Sequence, residues 1–126
     1  MNRTENKKIL MIEDEDVFID MFGKKLTQEG YTMTFAKNGA WGIKEAIENE
    51  FDLILVDMVM PAMSGEEIIA KLKLEEKTKN VPIIALSASV DDETKRKIEA
   101  MGIVAFFMKT HITPSELSQK IKETLR

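Results

Sequence analysis

Five short apolar runs alternate with longer stretches of helical periodicity, and this alternation limits the fold more than any other feature of the chain. The runs recur at intervals of roughly 20–30 residues, which is the spacing of repeated strand–helix units. Four of them are almost continuously apolar, as is typical of parallel strands covered by helices on both faces. The second alternates and is predicted to be an edge strand. In chain order, the runs are Ile9–Ile12, Tyr31–Phe35, Leu53–Val56, Ile83–Leu86 and Val104–Met108.

Capping residues and apolar stripes predict a helix after each run. A left-handed glycine can end the first helix, and two capping boxes can open the third and fifth. These signals are Gly30 for the first helix, Asn38-Gly39 for the second, Ser64 with Glu67 for the third, Asp91 for the fourth and Thr113 with Glu116 for the fifth. The apolar stripe of the second helix is predicted to consist of Trp41, Ile43, Ala46 and Ile47.

These units predict one doubly wound α/β domain over residues 1–126. We expect a five-stranded parallel sheet of order 2-1-3-4-5 with helices on both faces. Residues 1–6 are expected to form a flexible N-terminal extension, and no output domain is expected. A sheet of this type binds its ligand beyond the carboxyl ends of the strands, at the switch point between strands 1 and 3.

The composition is that of one domain with its own core. The chain has 126 residues, of which 44% are hydrophobic and 32% charged, and this length is usual for a single domain. The formal net charge of -4 argues against direct nucleic-acid binding, which normally requires a basic surface. The chain has no cysteine and no apolar stretch of membrane-spanning length. We therefore expect a cytoplasmic protein without a membrane partner.

Four of the apolar runs are followed at once by residues that can carry chemistry. Glu13 and Asp14 follow the first run, Asp57 the third, Ser87 the fourth and Lys109 the fifth. In the predicted order, three carboxylates, one hydroxyl and one ammonium group should meet at one edge of the sheet. Each residue alone could simply face solvent, but four such coincidences at one edge favour a functional site.

The three clustered carboxylates must repel one another. At an effective dielectric constant near 20, each pair ~4 Å apart costs about 4 kcal/mol before screening. Either one carboxyl group stays protonated or a cation is present. Carboxylate oxygens without histidine or cysteine favour a hard ion, and Mg²⁺ together with Lys109 would balance the three negative charges.

Four segments resemble the motifs of two-component response-regulator receiver domains, in the order and spacing of that family. Ile9–Glu15 resembles the first strand with its acidic pair, and Asp57–Gly65 resembles the phosphoacceptor segment with its Met-Pro pair. Pro82–Ala88 resembles the fourth strand with its hydroxyl residue. Gly102–Lys109 resembles the fifth strand with its switch aromatic and lysine. The resemblance covers nearly the whole chain, from about Lys7 to the end.

The resemblance implies a role in phosphoryl transfer for residues of these segments. Asp57 would be the nucleophile that becomes an acyl phosphate. Lys109 would pair with the phosphoryl oxygens, and Ser87 would donate a hydrogen bond to one of them. Phe106 would be the aromatic switch, whose ring changes rotamer as Ser87 moves.

The resemblance also implies a bound Mg²⁺. Its ligands would be Asp57, Asp14 directly, Glu13 through a water molecule and the backbone carbonyl of Val59. Glu13 stands where the family more often has aspartate, and a water-mediated contact would accommodate the longer side chain.

Partners follow from the same resemblance. The phosphoryl donor would be the phosphohistidine of a sensor histidine kinase or of a phosphotransfer protein. A downstream protein would bind the face formed by helix 4, strand 5 and helix 5, and a phosphorylation-linked dimer could form through this face. Such a domain is not an enzyme in the usual sense, because it catalyses only its own phosphorylation and dephosphorylation.

Two positions depart from the family pattern. Thr110 follows Lys109 where the family usually has a proline after a cis peptide bond. Because a cis bond without proline costs ~3–4 kcal/mol, we predict a trans Lys109–Thr110 bond. Val59 occupies a position that tunes dephosphorylation in the family, and its side chain cannot orient an attacking water molecule. We therefore predict slow self-hydrolysis.

Other functions remain open from the sequence alone. A phosphatase of the haloacid-dehalogenase type also uses a strand-terminal aspartate and Mg²⁺, but Phe18 stands where such enzymes need a smaller residue. A second alternative is a docking domain that keeps the fold and is never phosphorylated. A flavodoxin-like flavin carrier would need a hydroxyl- and glycine-rich loop after the first strand, where this chain has acids.

Overall fold

A computed structural model describes residues 7–126, which form the predicted alternation of five strands and five helices. The expected extension at residues 1–6 lies outside the described residues. The strands are β1 (Lys8–Ile12), β2 (Thr32–Ala36), β3 (Leu53–Asp57), β4 (Ile83–Ser87) and β5 (Ala105–Met108). The helices are α1 (Asp16–Gln28), α2 (Gly39–Glu48), α3 (Gly65–Leu74), α4 (Asp92–Glu99) and α5 (Pro114–Leu125).

The five strands form one parallel sheet in the order β2-β1-β3-β4-β5, which confirms the predicted topology. Because β1 pairs with both β2 and β3, the chain changes direction across the sheet after β2. The switch point therefore lies between β1 and β3, as expected. No helix within residues 7–126 combines the length and the apolar character needed to cross a bilayer.

Side chains of the strands alternate between two cores, one on each face of the sheet. In β1, Leu10 and Ile12 belong to the core with α2, α3 and α4, whereas Ile9 and Met11 belong to the core with α1 and α5. Every residue of β3 and β4 is buried. Since both faces of these strands are covered, their runs in the sequence are continuously apolar.

The second strand and the second helix lie at the less buried side of the sheet. β2 is an edge strand, as predicted, and most of its residues are exposed or half-buried. The predicted apolar stripe of α2 is partly wrong, because Trp41 is 48% exposed and Ile47 is 37% exposed. The helix packs instead through Gly42 and Ala46. Its backbone lies so close to β1 that a Cβ at Gly42 would be 2.5 Å from Ile12 Cδ1.

The predicted capping residues open α2, α3, α4 and α5. Both capping boxes are formed, by Ser64 with Glu67 and by Thr113 with Glu116. The carboxylates of these glutamates accept from the cap N–H groups, and the hydroxyls accept from the glutamate N–H groups. Two orphan donors are satisfied at each helix start, which fixes where α3 and α5 begin.

The helix α4 is held to the sheet by few apolar contacts. Of its eight residues, only Ile98 is buried. The neighbouring α3 buries Ile68, Ile69 and Leu72. α4 is therefore a largely exposed helix with one buried side chain as its anchor.

We expect Gly65→Ala to lower the free energy of unfolding by about 1–3 kcal/mol. A Cβ at Gly65 would lie 2.6 Å from the Met58 Cα, so backbone would have to move. Glu66→Ala at the exposed neighbouring position should change the same quantity by about 0.5 kcal/mol or less. Urea unfolding followed by circular dichroism measures both variants, and equal values for the two would contradict this close packing.

Candidate functional site

Four carboxylate side chains meet at the carboxyl edge of the sheet. Glu13, Asp14 and Glu15 follow β1, and Asp57 is the last residue of β3. Each offers an oxygen, and these oxygens all lie within 4.8 Å of one another. The structure thus brings together the acids that were predicted to converge. It adds Glu15, which the sequence did not single out.

Lys109 places a positive charge among these carboxylates. Its side chain is 1% exposed, and its Nζ lies 2.9 and 3.2 Å from the two carboxylate oxygens of Glu13. The same Nζ is 3.4 Å from Glu15 Oε1 and 3.4 Å from Asp57 Oδ2. Glu13 is the principal partner, because its distances are the shortest and both side chains are buried.

The pKa of Asp57 is raised to about 7. Burial is the largest cause, and the negative charge of Glu13 adds to it. The N–H of Val59 and the charge of Lys109 act in the opposite direction without cancelling these effects. The ionisation of Asp57 at neutral pH therefore depends on how much positive charge the site contains.

Lys109 remains an ammonium ion in this environment. Burial by itself would lower the pKa of Lys109, but the hydrogen bond to Glu13 and the charges of Asp57, Glu13 and Glu15 outweigh it. The pKa is raised as a result. One positive charge is thus fixed among four carboxyl groups.

Two buried carboxylate oxygens, Asp14 Oδ1 and Asp57 Oδ2, accept no hydrogen bond from any group of residues 7–126. Asp57 Oδ2 is within ion-pair distance of Lys109 but lacks hydrogen-bonding geometry. Buried oxygens of this kind are costly unless a further partner is present. Both residues belong to the carboxylate cluster, which is a donor set that suits a hard divalent cation. The residues present therefore fit the predicted Mg²⁺.

The loop between β3 and α3 holds Asp57 from the other side. The Val59 N–H donates to Asp57 Oδ1 at 3.2 Å, while Oδ2 faces Lys109. Within the loop, the Gly65 N–H donates to the Met58 carbonyl at 3.1 Å. These contacts fix the Asp57 carboxylate, and the role of the Val59 carbonyl as a metal ligand stays a prediction.

Ser87 and Phe106 lie on the far side of Asp57, on β4 and β5. The Ser87 hydroxyl donates to the Ser89 carbonyl at 2.8 Å. The ring of Phe106 is 8% exposed, and Lys95 Nζ lies 5.9 Å from its centroid. In this conformation the hydroxyl is occupied within its own loop and the ring is largely buried. The coupled movement of the two side chains stays a prediction.

A cleft of about 490 Å³ opens between the β3–α3 loop and the start of α4. Met58 and Val59, which directly follow Asp57, line one side of it, and Ser87 and Asp91 line another. The cleft therefore borders both the β3–α3 loop, which begins directly after Asp57, and Ser87.

The chain leaves β5 through a turn without a cis bond. No peptide bond within residues 7–126 is cis, so the Lys109–Thr110 bond is trans, as predicted. The N–H of His111 donates to the Met108 carbonyl at 3.0 Å, and Thr110 and His111 are both exposed. This turn places Lys109 at the site without the proline that the family usually has.

Phe18 also belongs to the surroundings of Lys109, which the sequence did not reveal. Its ring stacks on Phe22, with the centroids 6.1 Å apart. Lys109 Nζ lies 4.2 Å from the centroid of the Phe18 ring. The only signal in the sequence was the position of Phe18 within one helical turn of the acidic residues.

Known proteins resemble this chain in sequence and in structure. The phosphate regulon transcriptional regulatory protein PhoB of Pseudomonas aeruginosa is 32% identical over 95% of this chain and 52% of that protein. Hybrid signal transduction histidine kinase B of Dictyostelium discoideum is 32% identical over 94% of this chain and 7% of that protein. The chain thus spans about half, or far less, of these curated relatives.

Among solved structures, a CheY-like response regulator receiver domain protein from Methanospirillum hungatei superposes with a TM-score of 0.88 and 27% identity, covering 96% of this chain and 94% of that one. The family model described as the response regulator receiver domain matches residues 9–122. This chain therefore belongs to the receiver-domain family of two-component response regulators.

Proposed function

We propose that this domain accepts a phosphoryl group from a phosphohistidine onto Asp57 and then signals through protein contacts in the cytoplasm. The donor would be a sensor histidine kinase or a phosphotransfer protein. The observation that carries the proposal is the position of Asp57 Oδ2. It is buried, has no hydrogen-bond partner and lies beside a lysine and three further carboxylates.

Mg²⁺ is the cofactor that we assign to the carboxylate cluster. Asp14 would hold it through its unpartnered oxygen, and the carboxylate of Asp57 would be a second ligand. Glu13 would contribute through water, since Lys109 already occupies both of its carboxylate oxygens. When bound, the ion would neutralise the acids and withdraw charge from the phosphoryl oxygens.

The transfer itself requires little of the protein beyond position and charge. Asp57 Oδ2 attacks the phosphorus, the bond from phosphorus to the histidine nitrogen breaks, and its electron pair stays on that nitrogen. An acyl phosphate on Asp57 results. The ammonium of Lys109 faces the charge that spreads over the phosphoryl oxygens, so no general base is needed.

Lys109 and Ser87 would then exchange their present partners. Lys109 would give up its ion pair with Glu15 and bind a phosphoryl oxygen instead. Glu15 is the more exposed of its two glutamate partners. The Ser87 hydroxyl would leave the Ser89 carbonyl and donate to another oxygen. In both exchanges, a contact to a carboxylate or carbonyl oxygen is replaced by a contact to the doubly charged phosphoryl group. Hydrogen bonds to such a group are stronger, which favours the phosphorylated arrangement.

The output would be a changed surface on α4, β5 and α5. A cavity of about 350 Å³ lies on this face, lined by Lys95, Phe106, Phe107, Met108, His111, Ile112 and Glu116. Movement of Ser87 alters the β4–α4 loop, and movement of the Phe106 ring alters the cavity. A downstream protein, or a second copy of the domain, would bind there.

The alternative that remains is a docking domain with the receiver fold that is never phosphorylated. Such a domain would have the same fold and belong to the same family. Only a test of whether Asp57 is phosphorylated distinguishes it from our proposal. The phosphatase and flavin-carrier alternatives are not proposed, because the chain belongs to the receiver family.

Incubation of the domain with Mg²⁺ and acetyl phosphate should add the mass of one phosphoryl group. Asp57→Asn should abolish the gain because the nucleophile is lost, and chelation of the metal should reduce it strongly. Asp20→Asn, which changes an exposed aspartate on α1, should retain it. Intact-mass spectrometry measures all four samples. A wild-type domain that gains no mass would favour the docking domain.

Asp57→Asn should raise the free energy of unfolding of the metal-free domain by about 2–4 kcal/mol at pH 8. The reason is that the folded state holds Asp57 with a pKa near 7, above its unfolded value. Ionisation of Asp57 therefore destabilises the fold as pH rises through about 4 to 7. The gain should shrink towards pH 4, and saturating Mg²⁺ should reduce it at pH 8.

Urea unfolding at the two pH values, with Asp20→Asn as the matched control, measures this effect. A gain that is the same at pH 4 and pH 8 would contradict the raised pKa of Asp57.

The acyl phosphate should persist for minutes or longer, because the exposed side chain of Val59 carries no group that could orient water. Val59→Asn should shorten its half-life by about threefold or more, whereas the apolar variant Val59→Ala should stay within about twofold of the wild type. Loss of the phosphoryl mass over time measures the three rates. A wild-type half-life of seconds would show that another group activates the water.

A further inference from the structure

We infer that Phe18 is a positioning residue that holds the ammonium group of Lys109 for phosphoryl transfer. This inference rests on the proposed function of Asp57. Lys109 Nζ lies 4.2 Å from the centroid of the Phe18 ring, well inside the distance at which an aromatic face attracts a cation. Because the Lys109 side chain is 1% exposed, water competes little with this attraction.

The ring itself is held firmly in place. Phe18 stacks on Phe22 with an angle of 14° between the ring planes, and Phe22 is completely buried. The N–H of Phe18 donates to the Glu15 carbonyl at 3.1 Å, so the first turn of α1 fixes its backbone. The same turn carries Glu15, which contacts Lys109 through its carboxylate. α1 thus offers Lys109 both an acid and an aromatic face.

The aromatic face differs from the acids in one important respect. A carboxylate that holds Lys109 also cancels its charge and repels an incoming phosphoryl group. An aromatic ring attracts the ammonium through its quadrupole and carries no net charge. Phe18 can therefore keep Lys109 close to Asp57 Oδ2 without adding negative charge to the four carboxyl groups already in the cluster.

The Phe18 ring positions Lys109 and takes no part in metal binding. The unpartnered oxygens of Asp14 and Asp57 belong to the acids, and the Phe18 ring offers no ligand for Mg²⁺. Removal of the ring should leave metal affinity intact, while Lys109 gains freedom to turn towards solvent or towards the more exposed Glu15. The rate of phosphoryl acceptance should fall, because the ammonium is less often placed at the transferring group.

The test compares Phe18→Leu, Phe18→Tyr and Phe35→Leu with the wild type. Phe35→Leu is the matched control, because Phe35 packs on the same face of the sheet and against Gly23 of α1. Phe18→Leu should slow phosphorylation by acetyl phosphate about three- to tenfold. Phe18→Tyr keeps an aromatic face and should stay, like Phe35→Leu, within about twofold of the wild type. Mg²⁺ affinity should change by less than about twofold in Phe18→Leu.

A spectroscopic measurement tests the contact without any phosphorylation. The ε-methylene signals of Lys109, assigned by their absence in Lys109→Arg, should be shifted upfield by the ring in the wild type and in Phe18→Tyr. Phe18→Leu should lose this shift. Wild-type phosphorylation rates in Phe18→Leu, an equal slowing in Phe35→Leu, or an unshifted Lys109 would each overturn the inference. A wild type that accepts no phosphoryl group overturns the proposed function instead, and the upfield shift still decides whether the ring holds the ammonium.

Discussion

The buried ion pair between Lys109 and Glu13 is the interaction on which the rest of the site depends. Both side chains are 1% exposed, and either one alone would be an uncompensated charge inside the protein. Because the ammonium is committed mainly to Glu13, it compensates the charge of Asp57 only in part. Burial and the negative charge of Glu13 therefore keep the pKa of Asp57 raised, and Asp14 Oδ1 accepts no hydrogen bond within residues 7–126. The pair therefore leaves the site short of positive charge, and a metal or a proton has to supply it.

The sheet makes this arrangement possible. The two members of the ion pair are 96 positions apart in sequence, yet parallel strands end at the same edge of the sheet. The carboxyl ends of β1, β3 and β5 then carry the acids, Asp57 and Lys109. Since the strands themselves are covered on both faces, these strand ends are the places where the chain can present charge to a ligand. The parallel sheet that defines the fold is thus also what brings the charged residues of the site together.

Most of the fold and most of the site could be predicted from the sequence. The continuous apolar runs predicted strands covered on both faces, and the capping boxes predicted where α3 and α5 begin. The packing of α2 was harder, because Gly42 is the contact with β1 and a glycine contributes nothing to an apolar stripe. Glu15 and Phe18 were missed for a different reason. Their roles depend on the direction in which Lys109 points, and side-chain direction across three elements is not encoded in local pattern.

The helices differ in how many side chains they bury against the sheet, so they differ in how easily they detach from it. α3 and α5 begin at capping boxes and bury several side chains, whereas Ile98 is the one buried side chain of α4. Detaching α4 would expose one large apolar side chain, at a cost of about 1.5–3 kcal/mol. That cost is comparable with the energy of a few hydrogen bonds. We therefore expect α4, the helix that follows Ser87 in the chain, to detach locally at lower cost than α3 or α5.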